Sequence, residues 1–263
     1  MASLKSLIEC MDIDSSGQVS VLKRFFGFSR SRVPTDPQAS ATASVSVLAQ
    51  AREIQADHIH INVTRVGFEL LTGTVPNSSQ TLADQAREKI DYAIYRTRSI
   101  YATVGIGVGR VLHTDITSAE TGGMDDLGSQ DEADDLVASY SWFNDGVDAF
   151  VVRNISGDFV GKASAIPGVC DKLDPEDGVV AGEVSRTFDP FARTFAHEIG
   201  HHMGLVHNHG KEPDCPDTTT GCNNLMAQTR CATSCGGGTR TAVLLTGSQG
   251  TTMRSHCSIR SAC

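Results

Sequence analysis

Hydrophobic and polar positions first fall into order near residue 50. From His58 to Val66 they alternate, with Ile59, Ile61 and Val63 on one side, the period-two mark of a strand. Leu82, Ala86, Ile90, Ile94, Thr97 and Tyr101 then recur every three or four residues, which predicts a long amphipathic helix. A second strand is predicted over 103–112. After an acidic, glycine-containing loop come a short helix over 131–140 and strands over 147–152, 159–165 and 179–184. Asp189-Pro190 reads as a helix start, Asp capping and Pro at the first helical position, and this helix should run to about Met203 before Gly204. From there to Cys235 the pattern is loop-like, and residues 245–253 predict a last helix. Strand, long helix, strand, short helix and several strands together indicate an α/β layered fold without internal repeats.

Residues 1–45 stand outside this order. The stretch 29–46 is rich in Ser, Ala, Pro and Arg, and Pro34 and Pro37 break any helix, so it reads as a linker or exposed tail. The expected division is an N-terminal segment, 1–45, and a folded domain, 46–263. Upstream, Asp12 to Gly17 imitates the start of a calcium-binding loop, but the twelfth position holds Lys23 where a bidentate Glu is needed. An acidic turn is the favoured reading there.

Composition narrows the function classes. The 263 residues carry 22 Lys+Arg against 31 Asp+Glu, a net charge of −9, which disfavours a sequence-independent nucleic-acid binder or an acidic-membrane binder. With 40% hydrophobic and 20% charged residues the chain has the makings of a globular core. No apolar run approaches the roughly 18 residues of a membrane span. Eight cysteines, an even number, point to disulfides and an oxidising compartment, but residues 1–20 lack the basic-then-apolar layout of a secretory signal, so reduced or metal-binding thiols stay open as the alternative.

The candidate chemistry lies on the helix that starts near Asp189. It contains His197-Glu198-Ile199-Gly200-His201. Residues four apart on a helix lie about 40° apart around the axis and about 6 Å along it, so both imidazoles project toward one point, as two zinc ligands must. Glu198 lies beside them, within reach of a water at the metal without being a ligand. Gly204 can adopt the left-handed conformation that ends the helix, letting His207 turn back as third ligand and leaving a fourth position open. From this composition the whole pattern should arise by chance in about four of a hundred thousand such sequences. His202 points about 100° away from His201, and His209 overshoots the third-ligand spacing by two, so neither is expected at the metal.

Residues 197–207 match the extended zinc motif of the metzincin metallopeptidases, and Asn224-Leu225-Met226 resembles their Met-turn, in which a methionine lies beneath the metal. The resemblance covers roughly residues 50–260 and is motif-specific over 197–226. It implies a zincin-like α/β (α+β) fold: a twisted mixed sheet with long helices, a zinc helix, the Met-turn and a C-terminal helix. Asp214-Cys215 through Cys222 is most similar to the reprolysin (adamalysin) branch in a bacterial-type form, although Asn208 replaces that branch's frequent Asp and no Tyr follows Met226 as in astacins and serralysins.

The resemblance implies a secreted, monomeric zinc endopeptidase acting on proteins or peptides through one zinc ion. His197, His201 and His207 would be its ligands, Glu198 the general base, and Gly204 and Met226 structural supports. It places the substrate along an edge strand, for which 159–165 is the candidate, and a pocket wall after Met226 through Cys231–Cys235. It pairs Cys170 with Cys257 and Cys215 with Cys222; Cys231 with Cys235 and Cys10 with Cys263 complete the expected set. A latent form blocked by the N-terminal segment, with Cys10 on the zinc, is the alternative for that cysteine, and a non-catalytic extracellular binding protein is the alternative for the whole.

Three further features carry bland expectations. His58 and His60 share a strand face, read as solvated in preference to a second metal site. Asp125, Asp126, Asp131, Glu132, Asp134 and Asp135 could hold calcium but read as a solvated acidic loop. Asn62, Asn77 and Asn154 lie in glycosylation sequons.

Overall fold

The computed structural model describes residues 56–170, 177–182, 187–208, 219–228 and 243–261, the side chains of residues 219 and 220 excepted. Strand β1, His58–Val66, is central: β2, Gly107–Ile116, pairs with it in parallel on one side and β4, Gly146–Val152, on the other. Parallel β7, Val179–Ala181, follows β4, and antiparallel β6, Gly161–Ala163, forms the far edge, giving the order β2-β1-β4-β7-β6. A separate parallel pair joins β3, Asp126–Leu127, to β5, Asn154–Ile155.

Helices cover both faces. Helix α1, Leu82–Ala102, and α3, Phe188–His202, bury one core with Ile59, Ile61 and Val63 of β1. Helix α2, Gln130–Tyr140, buries Leu136 and Val137 against Val66, Phe150 and Val152 on the opposite face. Two short helices complete the described set, α4, Thr219–Cys222, and α5, Gly247–Arg254. The predicted elements appear in the predicted order, with β3, β5, a 3-10 turn at Phe68–Leu70 and, within the stretch read as loop-like, α4 in addition.

Boundaries move where local hydrogen bonding overrides hydrophobic pattern. Strand β2 starts four residues later than expected because 103–106 complete the exit from α1: the N–H groups of Thr103, Val104 and Gly105 bond to Ile100, Tyr101 and Ala102 carbonyls, and Gly105 has φ +73°. Helix α3 is entered through Thr187, extended at the cap position, and not capped by Asp189. Asp189 instead accepts the Tyr92 hydroxyl at 2.5 Å, tying α3 to α1, and Pro190 falls in the first turn, where no intrahelical N–H is required. Helix α5 is set by a capping box between Thr246 and Gln249, two residues past the predicted start.

The solvated face expected at His58 and His60 is a correction, because β1 is buried on both sides. His60 Nδ1 accepts the Arg110 backbone N–H at 2.9 Å, and burial, with Arg110 adding to it, lowers its pKa to about 4. His58 Nδ1 lies 2.9 Å from the Ala56 carbonyl. Asn62, next on this face, donates to Asp148 at 2.6 Å and Asn144 at 2.7 Å; Trp142 donates its backbone N–H to Asp148 and its indole N–H to Thr64. The loop before β4 thus closes over a buried polar row in which His60, Asn62 and Thr64 find partners, while His58 Nε2 has no hydrogen-bond partner among the described residues. Asn62 is therefore sealed from a glycosylating enzyme, whereas Asn77 is exposed.

Phe195 of α3 is fully buried among these helices and the sheet. Phe195→Ala should cost about 3–5 kcal/mol of unfolding free energy in urea titrations, and an unchanged midpoint would contradict this packing.

Candidate metal centre

Helix α3 presents His197 and His201 side by side, ring centroids 4.5 Å apart. The helix stops at Gly204, φ +89°, whose N–H bonds the His201 carbonyl while the Leu205 N–H bonds that of Gly200. That left-handed step reverses the chain and brings His207 back, its centroid 4.6 Å from His201 and 5.3 Å from His197. One ring nitrogen of each of the three lies within 4.8 Å of the others, and the Nε2 atoms of His201 and His207 are 3.0 Å apart.

What faces inward is decided at the other nitrogens. His197 Nδ1 lies 2.7 Å from the Leu225 carbonyl and His201 Nδ1 2.6 Å from that of Leu205. Each carbonyl takes an Nδ1 proton, which leaves each Nε2 lone pair aimed at the shared point. Burial lowers the pKa of His201 to about 4 and that of His197 well below the ordinary value, so both rings are neutral near pH 7. Three imidazoles that converge with a free fourth direction suit zinc. The donor set fits the metal.

Glu198, next to His197 on α3, lies against the edge strand. It is buried, with the Ala163 backbone N–H donating to its carboxylate. A Cβ at Gly161 would lie 2.7 Å from Glu198 Cγ and 2.8 Å from Oε1, so only glycine lets the strand come this close. Burial pushes the carboxyl pKa up to about 8, against the opposing pull of Arg193 and the Ala163 N–H. A dication nearby would draw it down again.

The turn at 224–228 closes the floor. Met226 is fully buried, and its Sδ would lie 3.0 Å from a Cβ at Gly200, so the missing side chain there admits the sulfur against α3. Asn224 Oδ1 accepts the Met226 N–H at 2.9 Å, and its carboxamide exchanges two hydrogen bonds with Gln249 of α5, 2.8 and 3.0 Å long. The Arg193 guanidinium donates to the carbonyls of Leu225 and Ala227. Asn208, standing where an Asp was expected, keeps the loop joined: its N–H bonds the Met226 carbonyl at 2.9 Å and its Nδ2 that of Gly221 at 3.2 Å.

The structure brings His197, His201 and His207 together, with Gly204 making the turn and Met226 packed at Gly200 of the same helix, while Glu198 faces Gly161 and Ala163 of the edge strand. His202, as expected, lies elsewhere, buried against His256 and 3.7 Å from Asp177. Arg193, Gln228 and Gln249 were not anticipated, nor was the hydrogen-bonding role of Asn224 within the turn. Only Gln249 had a legible signal, as N3 of the Thr246 capping box.

Cys170 and Cys257 are bridged, Cα atoms 6.1 Å apart. Cys222 is also disulfide-bonded; its expected partner Cys215 lies outside the described residues, as do Cys10, Cys231, Cys235, Cys263, His209, the Asp12–Gly17 turn and the segment 1–45. The acidic region is only partly the solvated loop expected. Asp125 is buried, paired with Arg153 at 2.6 Å and accepting Ser118 Oγ at 2.5 Å; Asp126 accepts Asn154, and Asp134 pairs with Lys162. Among the described residues none of these acids belongs to a metal-sized group. No described helix is long and apolar enough to cross a membrane.

Residues 47–252 match the family model for Metallo-peptidase family M12 (Reprolysin_5), and the chain belongs to that family. It is a metzincin-like member of that metallopeptidase family with a mixed α/β fold, and the family is in general zinc-dependent. No curated protein matches it. Among solved structures it is similar to metalloproteinase-II from Bacteroides fragilis, at 14% identity and a TM-score of 0.45, over 77% of this chain and 53% of that one. It is also similar to a chain in a chaperone–substrate complex, at 14% identity and a TM-score of 0.36, over 61% of this chain and 25% of that one. The chain therefore matches about half the length of the first and a quarter of the second.

Arg193→Met would remove a buried donor from two carbonyls of the turn. It should cost about 1–3 kcal/mol in urea unfolding with chelator present, and unchanged stability would show that the turn does not need the guanidinium.

Proposed function

We propose that this protein is a secreted zinc-dependent endopeptidase, with residues 46–263 as its catalytic domain, His197, His201 and His207 as zinc ligands and Glu198 as general base. The observation that carries the reading is the convergence of three imidazoles, with the carboxylate of the residue after His197 buried and braced on the sheet edge. Bound there, zinc would acidify a water and polarise the scissile carbonyl. Glu198 would accept the attacking water's proton on its carboxylate and return it to the departing amine, so that no Ser or Cys nucleophile is required. A non-catalytic binding protein would have no use for a base so placed, which favours the enzyme. The disulfides support an extracellular setting.

Substrate would lie along β6, extending the sheet as an extended strand. Among the described residues this strand pairs only with β7. Lys162, between the two residues that face Glu198, pairs with Asp134 and donates to the Gln130 carbonyl of α2, which holds the edge in place.

Two measurements test this reading. Glu198→Ala should retain one zinc per chain by metal analysis yet lose casein cleavage by a factor of about 100 or more; full activity in that variant would exclude Glu198 as the base. Gly161→Ala should keep its zinc while cleavage falls about 10- to 100-fold, because the added methyl displaces the carboxylate. Wild-type activity there would contradict the contact between strand and base.

A further inference from the structure

Two of the three imidazoles are oriented by backbone carbonyls, which can only accept. The third is oriented by a side chain. The Gln228 carboxamide lies 2.6 Å from His207 Nδ1, with its nitrogen as the near atom. A hydrogen bond donated by that nitrogen makes Nδ1 an acceptor and places the His207 proton on Nε2, from which it reaches His201 Nε2 at 3.0 Å. His201 in turn gives its Nδ1 proton to Leu205, so Gln228, His207, His201 and the Leu205 carbonyl form one chain in which every donor meets an acceptor.

Metal binding requires the other tautomer of His207, with the proton on Nδ1 and the lone pair on Nε2. A carboxamide serves that tautomer equally well. Turned over by 180°, it presents Oε1 to Nδ1–H at the same position, with no change in the heavy-atom outline. Neither a carbonyl nor an apolar side chain could serve both states.

We propose that Gln228 is a positioning residue for the metal centre, whose reversible carboxamide supports His207 in both tautomers and aims its Nε2 at zinc once the amide has turned. The proposal rests on the reading of the three histidines as zinc ligands. It concerns the residue two beyond Met226, outside the ligand set itself. Groups that orient metal-bound histidines typically change metal affinity about 10- to 100-fold when removed.

The test is zinc affinity of the full chain, measured by competition with a fluorescent zinc chelator, for wild type, Gln228→Leu and Gln228→Glu, with urea unfolding in chelator alongside. Leucine keeps the bulk but offers neither donor nor acceptor, and binding should weaken about 10- to 100-fold. Glutamate is an acceptor only, matches the zinc-bound tautomer, and should bind at least as tightly as wild type. Wild-type affinity in the leucine variant, or glutamate weaker than wild type, would overturn the role given to Gln228. Where the leucine variant shows no cooperative unfolding, the glutamate variant decides in the same two directions. Failure of the wild type itself to bind zinc would instead overturn the ligand assignment, a distinguishable result.

Discussion

Three nitrogen lone pairs must point at one place, and an imidazole offers its Nε2 lone pair reliably only when its Nδ1 proton is held elsewhere. Most of the geometry of the site follows from that constraint. Two of the groups that meet Nδ1, the carbonyl of Leu225, which holds the His197 proton, and the carboxamide of Gln228, which would hold that of His207 once turned, come from the single turn 224–228; the third, the Leu205 carbonyl, comes from the reversal that Gly204 permits. The same turn inserts Met226 against Gly200 and accepts Arg193 at two carbonyls. The turn therefore acts as a template that sets ring orientation, with the methionine filling the space behind it.

The layers behind the site explain why the template stays put. Helix α3 is anchored by Phe191, Phe195 and Ile199 in the larger core, and the buried Tyr101 hydroxyl bonds the Ala196 carbonyl at 2.8 Å, immediately before the first histidine. Asn224 is held by Gln249 of α5, and the Cys170–Cys257 bridge fastens the segment after α5 to the loop after β6. The sheet is buried on both faces by different chemistry: aliphatic toward α1 and α3, and along half of β1 a hydrogen-bonded row of His58, His60, Asn62 and Thr64. Orientation at the centre is thus inherited from distant packing, as precise sites require.

Much of this was legible in the amino-acid order, for reasons that also explain the remainder. Strand β1 and helix α1 were readable because their periodicity is long and uninterrupted. The histidine spacing was readable because helical geometry turns a four-residue interval into a shared direction, and Gly204 marks where that geometry must end. The burial of His58, His60 and Asn62 was not readable, because polar residues on a strand look solvated until the loop that covers them, here Trp142 to Asp145, is placed in space. Arg193 and Gln228 were hidden for the same reason. Their contacts lie 32 and 21 residues away in sequence and join elements whose relative position only the fold decides.

The central claim is that three histidines, and no sulfur, form the protein's share of a zinc site preset by the turn. X-ray absorption spectroscopy of the zinc-loaded full chain tests it most directly. The account predicts nitrogen and oxygen neighbours at about 2.0–2.1 Å with the outer-shell scattering of three imidazoles. A sulfur neighbour at about 2.3 Å, or scattering from only two imidazoles, would contradict it.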